Sequence, residues 1–347
     1  MKLRILALLF AVTMLFSLVA CNKPNEVNPF EEKPPVEVRV QTLNGTTGFG
    51  MAKLMEDAEN GAFEWDSYSF EVKSDATEIL AALTSGTVDI AALPTNAAST
   101  IYNKTQGKVK ILAINTLGCL FLLNGGSQSV SKISDLGGKT VYAPAQNPTF
   151  ILTYLCQQNN LEVITEGTPT SAQVLIDSTS YAKPDALRDA VASKAVDLAV
   201  LPEPMVTIAV SKAKAASHEL KVAVDLTKEW DKLPNKKDTL VQGCVVVRNE
   251  FLEANPSTVN RFLEAYKQSI QYLNENVDEA ALLIKEHEIF ANDAIAKQAI
   301  PKCNVKFVAG DDMKTAVSAY LEILKSINPQ SIGGNVPAED FYYNANK

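Results

Sequence analysis

Short polar loops gather the side chains best placed for chemistry. They are Asn44, Gly45, Thr46, Thr47 and Gly48, then Thr95 and Asn96 after Pro94, Asn115 beside Thr116, Asn147 and Thr149 on either side of Pro148, and Glu203, with Gln242 further along. Together they offer amides, hydroxyls and backbone N–H groups, with a single carboxylate and no arginine. Groups of this kind hold a small polar solute through hydrogen bonds; a catalytic constellation would pair a nucleophile with a base. The two histidines, His218 and His287, stand in charged contexts with no nucleophile pattern nearby, which argues against a triad or metal-assisted hydrolysis. Donors at helix starts suit a small anion, whereas Glu203 argues for an amine or the amino edge of a pyrimidine. Thr46, Thr47, Asn96, Asn147 and Thr149 read equally well as helix caps. Glu203 reads equally well as an exposed loop acid.

Two copies of one stretch position these loops. Val88-Asp89-Ile90-Ala91-Ala92-Leu93-Pro94 recurs as Val196-Asp197-Leu198-Ala199-Val200-Leu201-Pro202: an acid, an unbroken apolar run, then a Leu-Pro stop. Each copy predicts a buried strand ending abruptly in a loop. Upstream at the same offset, Ile79, Ala82 and Leu83 match Leu187, Ala190 and Val191, the i, i+3, i+4 face of a helix. With a small insertion in the second copy, Val38 to Val40 match Lys139 to Val141, so each half reads strand, polar loop, helix, helix, Leu-Pro strand. Two such halves make a two-lobed α/β protein.

In chain order the pattern predicts strands at 36–43, 63–72, 87–93, 108–113 and 119–123, with helices at 49–59, 76–83 and 95–103 and a turn at Asn115-Thr116. Asn124-Gly125-Gly126-Ser127 reads as the first crossing between lobes. The second lobe then has strands at 139–141, 174–177, 196–201 and 221–224, with helices at 148–157, 184–193 and 205–214. A strand at 241–248 returns to the first lobe, and the rest is mostly helical, with helices starting at Asn255-Pro256-Ser257 and at 277–287, 293–300 and 311–327, and a strand at 305–308. The expected division is therefore residues 36–123 plus 241–347 for lobe 1 and 124–240 for lobe 2.

The 347 residues carry a net charge of −8, and no basic stripe with interleaved aromatics appears, so nucleic acid is not an expected partner. Residues 1–20 place Lys2 and Arg4 before an apolar run ending Leu18-Val19-Ala20-Cys21, the pattern of a lipoprotein signal peptide cleaved ahead of a lipid-bearing Cys21. Residues 21–35, rich in proline and charge, read as a tether to the membrane. Cys119, Cys156, Cys244 and Cys303 are too widely spaced for a zinc site or a redox pair, and buried free thiols are preferred over disulfides. No cofactor or metal is expected.

The Leu18 to Cys21 lipobox, Asp135-Leu136-Gly137-Gly138-Lys139, Val196-Asp197-Leu198-Ala199 ahead of Glu203-Pro204, and Asn255-Pro256-Ser257-Thr258-Val259 through Tyr266 resemble the solute-binding proteins of ABC importers. The resemblance is to the branch handling nitrate, sulfonates and thiamine-precursor pyrimidines, and it covers the whole mature chain. It implies a periplasmic-binding-protein type II fold, with two Rossmann-like lobes, a two-crossing hinge and a ligand cleft between them. It also implies a monomer delivering a sulfonate, nitrate or aminopyrimidine-like solute to a permease and its ATPase. The carboxyl ends of strands in open α/β sheets are where ligands bind, which gives the same cleft from the loops alone. Two alternatives remain: a sensory or adhesive lipoprotein, and an enzyme on this fold. The pyrimidine synthases carry a clustered-cysteine motif missing here, and they and the menaquinone-pathway dehydratases are cytosolic, unlike a lipobox protein.

Overall fold

The computed structural model describes residues 35–126 and 128–344. The leader, Cys21 and the tether up to residue 34 lie outside the described residues, as does Ser127 of the expected crossing.

The chain runs β1 (Val36–Leu43), α1 (Thr46–Phe49), α2 (Ala52–Glu59), β2 (Asp66–Lys73), α3 (Ala76–Ser85), β3 (Ile90–Pro94), α4 (Thr95–Lys104) and β4 (Val109–Leu117). Next come β5 (Leu120–Asn124), β6 (Thr140–Tyr142), α5 (Asn147–Gln158), β7 (Glu162–Ile164), β8 (Gln173–Asp177), α6 (Pro184–Ala192), β9 (Leu198–Pro202), α7 (Met205–Ala215) and β10 (Lys221–Asp225). The remainder is α8 (Leu226–Asp231), β11 (Val241–Arg248), α9 (Asn249–Ala254), α10 (Pro256–Glu275), α11 (Val277–Glu286), α12 (Asp293–Ala299), β12 (Val305–Val308) and α13 (Gly310–Ile327).

The strands form two six-stranded sheets, β12-β4-β11-β3-β1-β2 and β10-β5-β9-β6-β8-β7. Both follow one plan. β1 is parallel to β2 and β3, and β11 runs antiparallel to β3 and β4. Likewise β6 is parallel to β8 and β9, and β5 runs antiparallel to β9 and β10. Each Leu-Pro strand thus lies between a parallel neighbour of its own sheet and the strand that has just crossed from the other sheet. Both are apolar throughout because both faces are covered.

Several expectations are corrected. Residues 119–123 were expected in lobe 1, but Leu120 to Asn124 pair with β9, from Leu120 opposite Pro202 to Asn124 opposite Leu198. The chain therefore changes sheet at Gly118-Cys119, before the flexible-looking Asn-Gly-Gly. Gly118 is where the backbone squeezes through: a Cβ there would lie 2.3 Å from Thr227 Oγ1 and 2.6 Å from Leu240 Cδ2. Asn115 and Thr116 are not a turn but the buried end of β4, paired with β11 and β12. The helix expected at 49–59 breaks at Gly50-Met51 into α1 and α2. β7, α8 and α9 carried no strong pattern and were not anticipated.

Three apolar clusters hold the fold together. One packs β1, β3, β4 and β11 under α2, α10, α11 and α12; another lies under α6 and α7. The third is shared: it joins Ile79, Ile101 and Cys244 to Leu152, Leu155 and Val174 through Trp230 and the α13 residues Val317, Tyr320 and Leu321. Trp230 is fully buried, its ring 5.1 Å from Tyr154 and 6.1 Å from Tyr320, and its Nε1 donates to Thr239 Oγ1 at 2.9 Å. Burying a side chain of that size contributes several kcal/mol, on the order of 3–5 when truncated to alanine.

Candidate functional site: the cleft between the sheets

A cleft of about 670 Å³ opens at the carboxyl ends of the parallel strands. From the first sheet it is lined by Asn44, Gly45, Thr46 and Thr47 after β1, Ser74 and Asp75 after β2, Pro94 ending β3, and Thr116 of β4. From the second come Asn147 at the start of α5, Lys183, Pro184 and Asp185 at the start of α6, and Pro202 to Met205 after β9. Cys119 and Gln242, one on each crossing, form its floor, and Phe290 after α11 adds an aromatic wall.

The local reasons are specific. Gly45 takes φ 78, a left-handed conformation costly for other residues, and its N–H donates to Ile289 O at 3.0 Å. Gly48 does not reach the cleft; a Cβ there would sit 2.3 Å from Leu43 O, so the glycine lets α1 fold back on β1. Both Leu-Pro strands end at the cleft because proline has no N–H to continue a ladder. The helices that follow begin there too, presenting the N-termini of α4, α5, α6 and α7 towards the same space.

Two hydrogen bonds join the loops of one sheet directly to those of the other. Thr46 Oγ1 donates to Glu203 O at 2.8 Å, and Asn147 Nδ2 donates to Asn96 Oδ1 at 3.0 Å. At the floor, the Cys119 N–H donates to Gln242 Oε1 at 2.6 Å, and the Glu203 N–H donates to Cys119 O at 3.0 Å. Two buried polar atoms on lining residues, Thr116 Oγ1 and Asn147 Oδ1, have no hydrogen-bond partner among the described residues.

Of the residues singled out in the sequence, Asn44, Gly45, Thr46, Thr47, Asn147, Glu203 and Gln242 line the cleft, while Gly48, Thr95, Asn96, Asn115 and Thr149 do not. Thr95 and Asn115 are fully buried; Asn115 Nδ2 instead donates to Thr47 O at 3.2 Å and so supports the β1 loop. Thr149 Oγ1 donates to Pro144 O at 2.9 Å. Glu203 is 2 % exposed and its carboxylate turns inward, Oε2 accepting the Thr207 N–H at 3.1 Å and Oε1 accepting Thr207 Oγ1 at 3.0 Å. Burial raises its pKa, partly offset by those Thr207 bonds and by Lys302 at 3.9 Å. The sequence reading missed Ser74, Asp75, Lys183, Asp185, Met205 and Phe290. Asp75 was recognisable as an N-cap, accepting the Thr77 N–H at 2.8 Å, and Lys183 as the residue before a helix-starting proline. Neither histidine lines the cleft. The four described cysteines are buried free thiols, and burial pushes Cys119, Cys156 and Cys244 up to about 12.

Solved structures share this architecture. An ABC transporter protein from Parabacteroides distasonis is similar at 21% identity, with a TM-score of 0.71, over 89% of this chain and 99% of that one. The periplasmic aliphatic sulphonate binding protein SsuA from Escherichia coli is similar at 14% identity, with a TM-score of 0.67, over 89% and 92%. The alkanesulfonate-binding protein SsuA from Xanthomonas axonopodis pv. citri, bound to MOPS, is similar at 11% identity, with a TM-score of 0.60, over 88% and 95%. These likenesses establish the two-lobed periplasmic-binding-protein fold. No curated protein matches the sequence. Residues 62–325, well over half of the chain, match the family profile described as Menaquinone biosynthesis, and the chain belongs to that family.

Proposed function

We propose that the chain is an extracytoplasmic solute-binding protein, anchored by lipid on Cys21, that closes its two lobes around a small polar or anionic solute and presents it to an ABC importer. The observation that carries this is the cleft itself: polar loops from both sheets face one another across a floor made of the two crossings. The N-termini of α4, α5 and α6, with Lys183, favour an anionic group, while that of α7 is already capped by Glu203; the orphaned Thr116 Oγ1 and Asn147 Oδ1 offer further polar contacts. With Glu203 bonded to Thr207, the case for an amine weakens, and a sulfonate or nitrate becomes the preferred class. In this mechanism the open form samples the closed one, and a ligand touching both lobes stabilises closure. Lobe 1 would comprise the chain up to Leu117 and from Val241 onward, a hypothesis about the moving parts drawn from the strand pairing.

A second function, conversion of a small molecule in the same cleft, is favoured by the family description. One experiment separates the two. The chain is screened by thermal shift against nitrate, taurine-like sulfonates, aminopyrimidines, riboflavin and amino acids; any hit is then incubated, recovered and weighed by mass spectrometry, with small-angle scattering recorded alongside. Recovery of unchanged ligand with compaction supports transport. A changed mass supports an enzyme, and binding without compaction refutes lobe closure.

A further inference from the structure

Outside the cleft, two helix C-termini meet. α2 ends at Glu59, and α11 ends with His287 as its C-cap. One ligand atom from each of Glu56, Glu59 and His287 lies within 4.8 Å of the others. Glu56 and Glu59 are one helical turn apart on α2 and face the same way. His287 Nε2 lies 3.6 Å from Glu56 Oε2, and Nδ1 lies 3.5 Å from Glu59 Oε1. Both separations are too long for good hydrogen bonds. Only one ring nitrogen can face a given ion; the Nε2 to Glu56 Oε2 separation is close to the roughly 3.4 Å between neighbouring ligand atoms around a tetrahedral ion with bonds near 2.1 Å, and Glu59 is the ligand that must move to join them.

The imidazole is the telling group. Its side chain is 5 % exposed, and Nε2 is buried without a hydrogen-bond partner among the described residues, an arrangement that costs free energy unless something occupies it. Glu56 is held ready: its Oε1 accepts Asn60 Nδ2 at 2.7 Å, which leaves Oε2 turned to the histidine. Among the described residues, neither carboxylate has a lysine or arginine within ion-pair distance, so no basic side chain neutralises the pair. The partial negative charge of two helix ends adds to the two carboxylates.

We propose that Glu56, Glu59 and His287 form a binding site for a divalent transition metal of the zinc type, on the outer side of the first sheet's helices. One imidazole nitrogen and two carboxylate oxygens suit zinc, with water completing the coordination. Magnesium, which demands six oxygens, is disfavoured. Glu59 is 70 % exposed and supplies the movable ligand that draws the three atoms onto one ion.

The test loads the whole chain, first stripped of metal, with zinc or with magnesium, passes it through gel filtration and counts metal per chain, with a melting curve taken in parallel. The expected result is one zinc per chain, negligible magnesium, and a rise in Tm of about 4 °C when free zinc is a hundredfold above its Kd. Glu59→Gln, an exposed change that leaves packing intact, should weaken zinc at least tenfold, and His287→Gln should abolish the rise. Zinc retained equally by the wild type and Glu59→Gln means an adventitious ion only, held for instance by thiols, and overturns the proposal; so does no retention by the wild type.

Discussion

The two Leu-Pro strands share a sequence pattern, a neighbourhood and a place in their sheets, yet the acid that opens each does different work. Asp89, ahead of β3, is 1 % exposed and fully engaged: Arg39 Nε donates to its Oδ2 at 2.9 Å, Arg248 Nη2 to its Oδ1 at 2.8 Å, and the Arg39 N–H to Oδ2 at 3.0 Å. Asp197, ahead of β9, is exposed and, among the described residues, accepts a single long 3.4 Å side-chain bond from Gln128 Nε2. Arg39 belongs to β1 and Arg248 to β11, so Asp89 ties together an early strand and one that returns more than a hundred residues later. The second sheet is built from one continuous run and needs no such clasp. The repeated motif thus forms a strand in both sheets, while the ion cluster is found in the sheet whose chain leaves and returns.

That contrast can be broken most sharply at Asp89. Asp89→Ala should cost about 1.5–3 kcal/mol in urea unfolding, because it removes the charged hydrogen bonds of the largely buried Arg248 while the half-exposed Arg39 regains water, whereas Asp197→Ala should stay within about 0.5 kcal/mol. Equal losses would mean that the two acids are equivalent after all. Burial works to raise the Asp89 pKa, but the arginine hydrogen bonds outweigh it and hold the carboxyl below its ordinary value. Its contribution should thus be complete at neutral pH and be lost as pH falls below about 3.8.

A smaller effect is expected where the lobes touch. Thr46→Val removes the hydrogen bond to Glu203 O and should lower stability by about 1 kcal/mol, read by the same unfolding curves. An unchanged midpoint would show that the contact contributes nothing to holding the lobes together. The smallest effect belongs to Glu203→Gln. Burial raises this carboxyl, so the folded chain holds its proton more tightly than the unfolded one, and stability drifts down as pH rises from about 4.5 through the folded value. Glutamine should flatten that drift while leaving Tm at pH 7 unchanged or slightly higher; a sharp fall would show that the charge itself is needed.

Much of the frame was legible. Val36, Val38 and Val40 alternating with Glu37 and Arg39 gave β1, and the Gly-Cys-Val-Val-Val run gave β11, both within the observed bounds. Of the residues proposed for the cleft, Asn44 to Thr47 after β1 and Glu203 after β9 line it, because strand direction fixes where such loops emerge, whereas Thr95 and Asn96 after β3 are drawn into the buried start of α4. Failures arose where a side chain's direction, rather than its position, decided the outcome. Glu203 follows its proline as expected but turns back to cap α7, and Asn115 is held inside a sheet that continues past the apolar run that signalled it. The change of sheet at Gly118 was hidden by the looser Asn124-Gly125-Gly126, since composition marks flexibility but not which strand a segment will pair with.

The bond from the Cys119 N–H to Gln242 Oε1 has a mechanical consequence. It ties the outgoing and returning chains at one point, so the opening proposed above would turn about a line through the cleft floor. Displacement about an axle grows with distance from it. In that motion lining groups beside the tie would keep their spacing and those furthest from it would travel most, so one end of the cleft would serve as a fixed gauge and the other as the moving jaw.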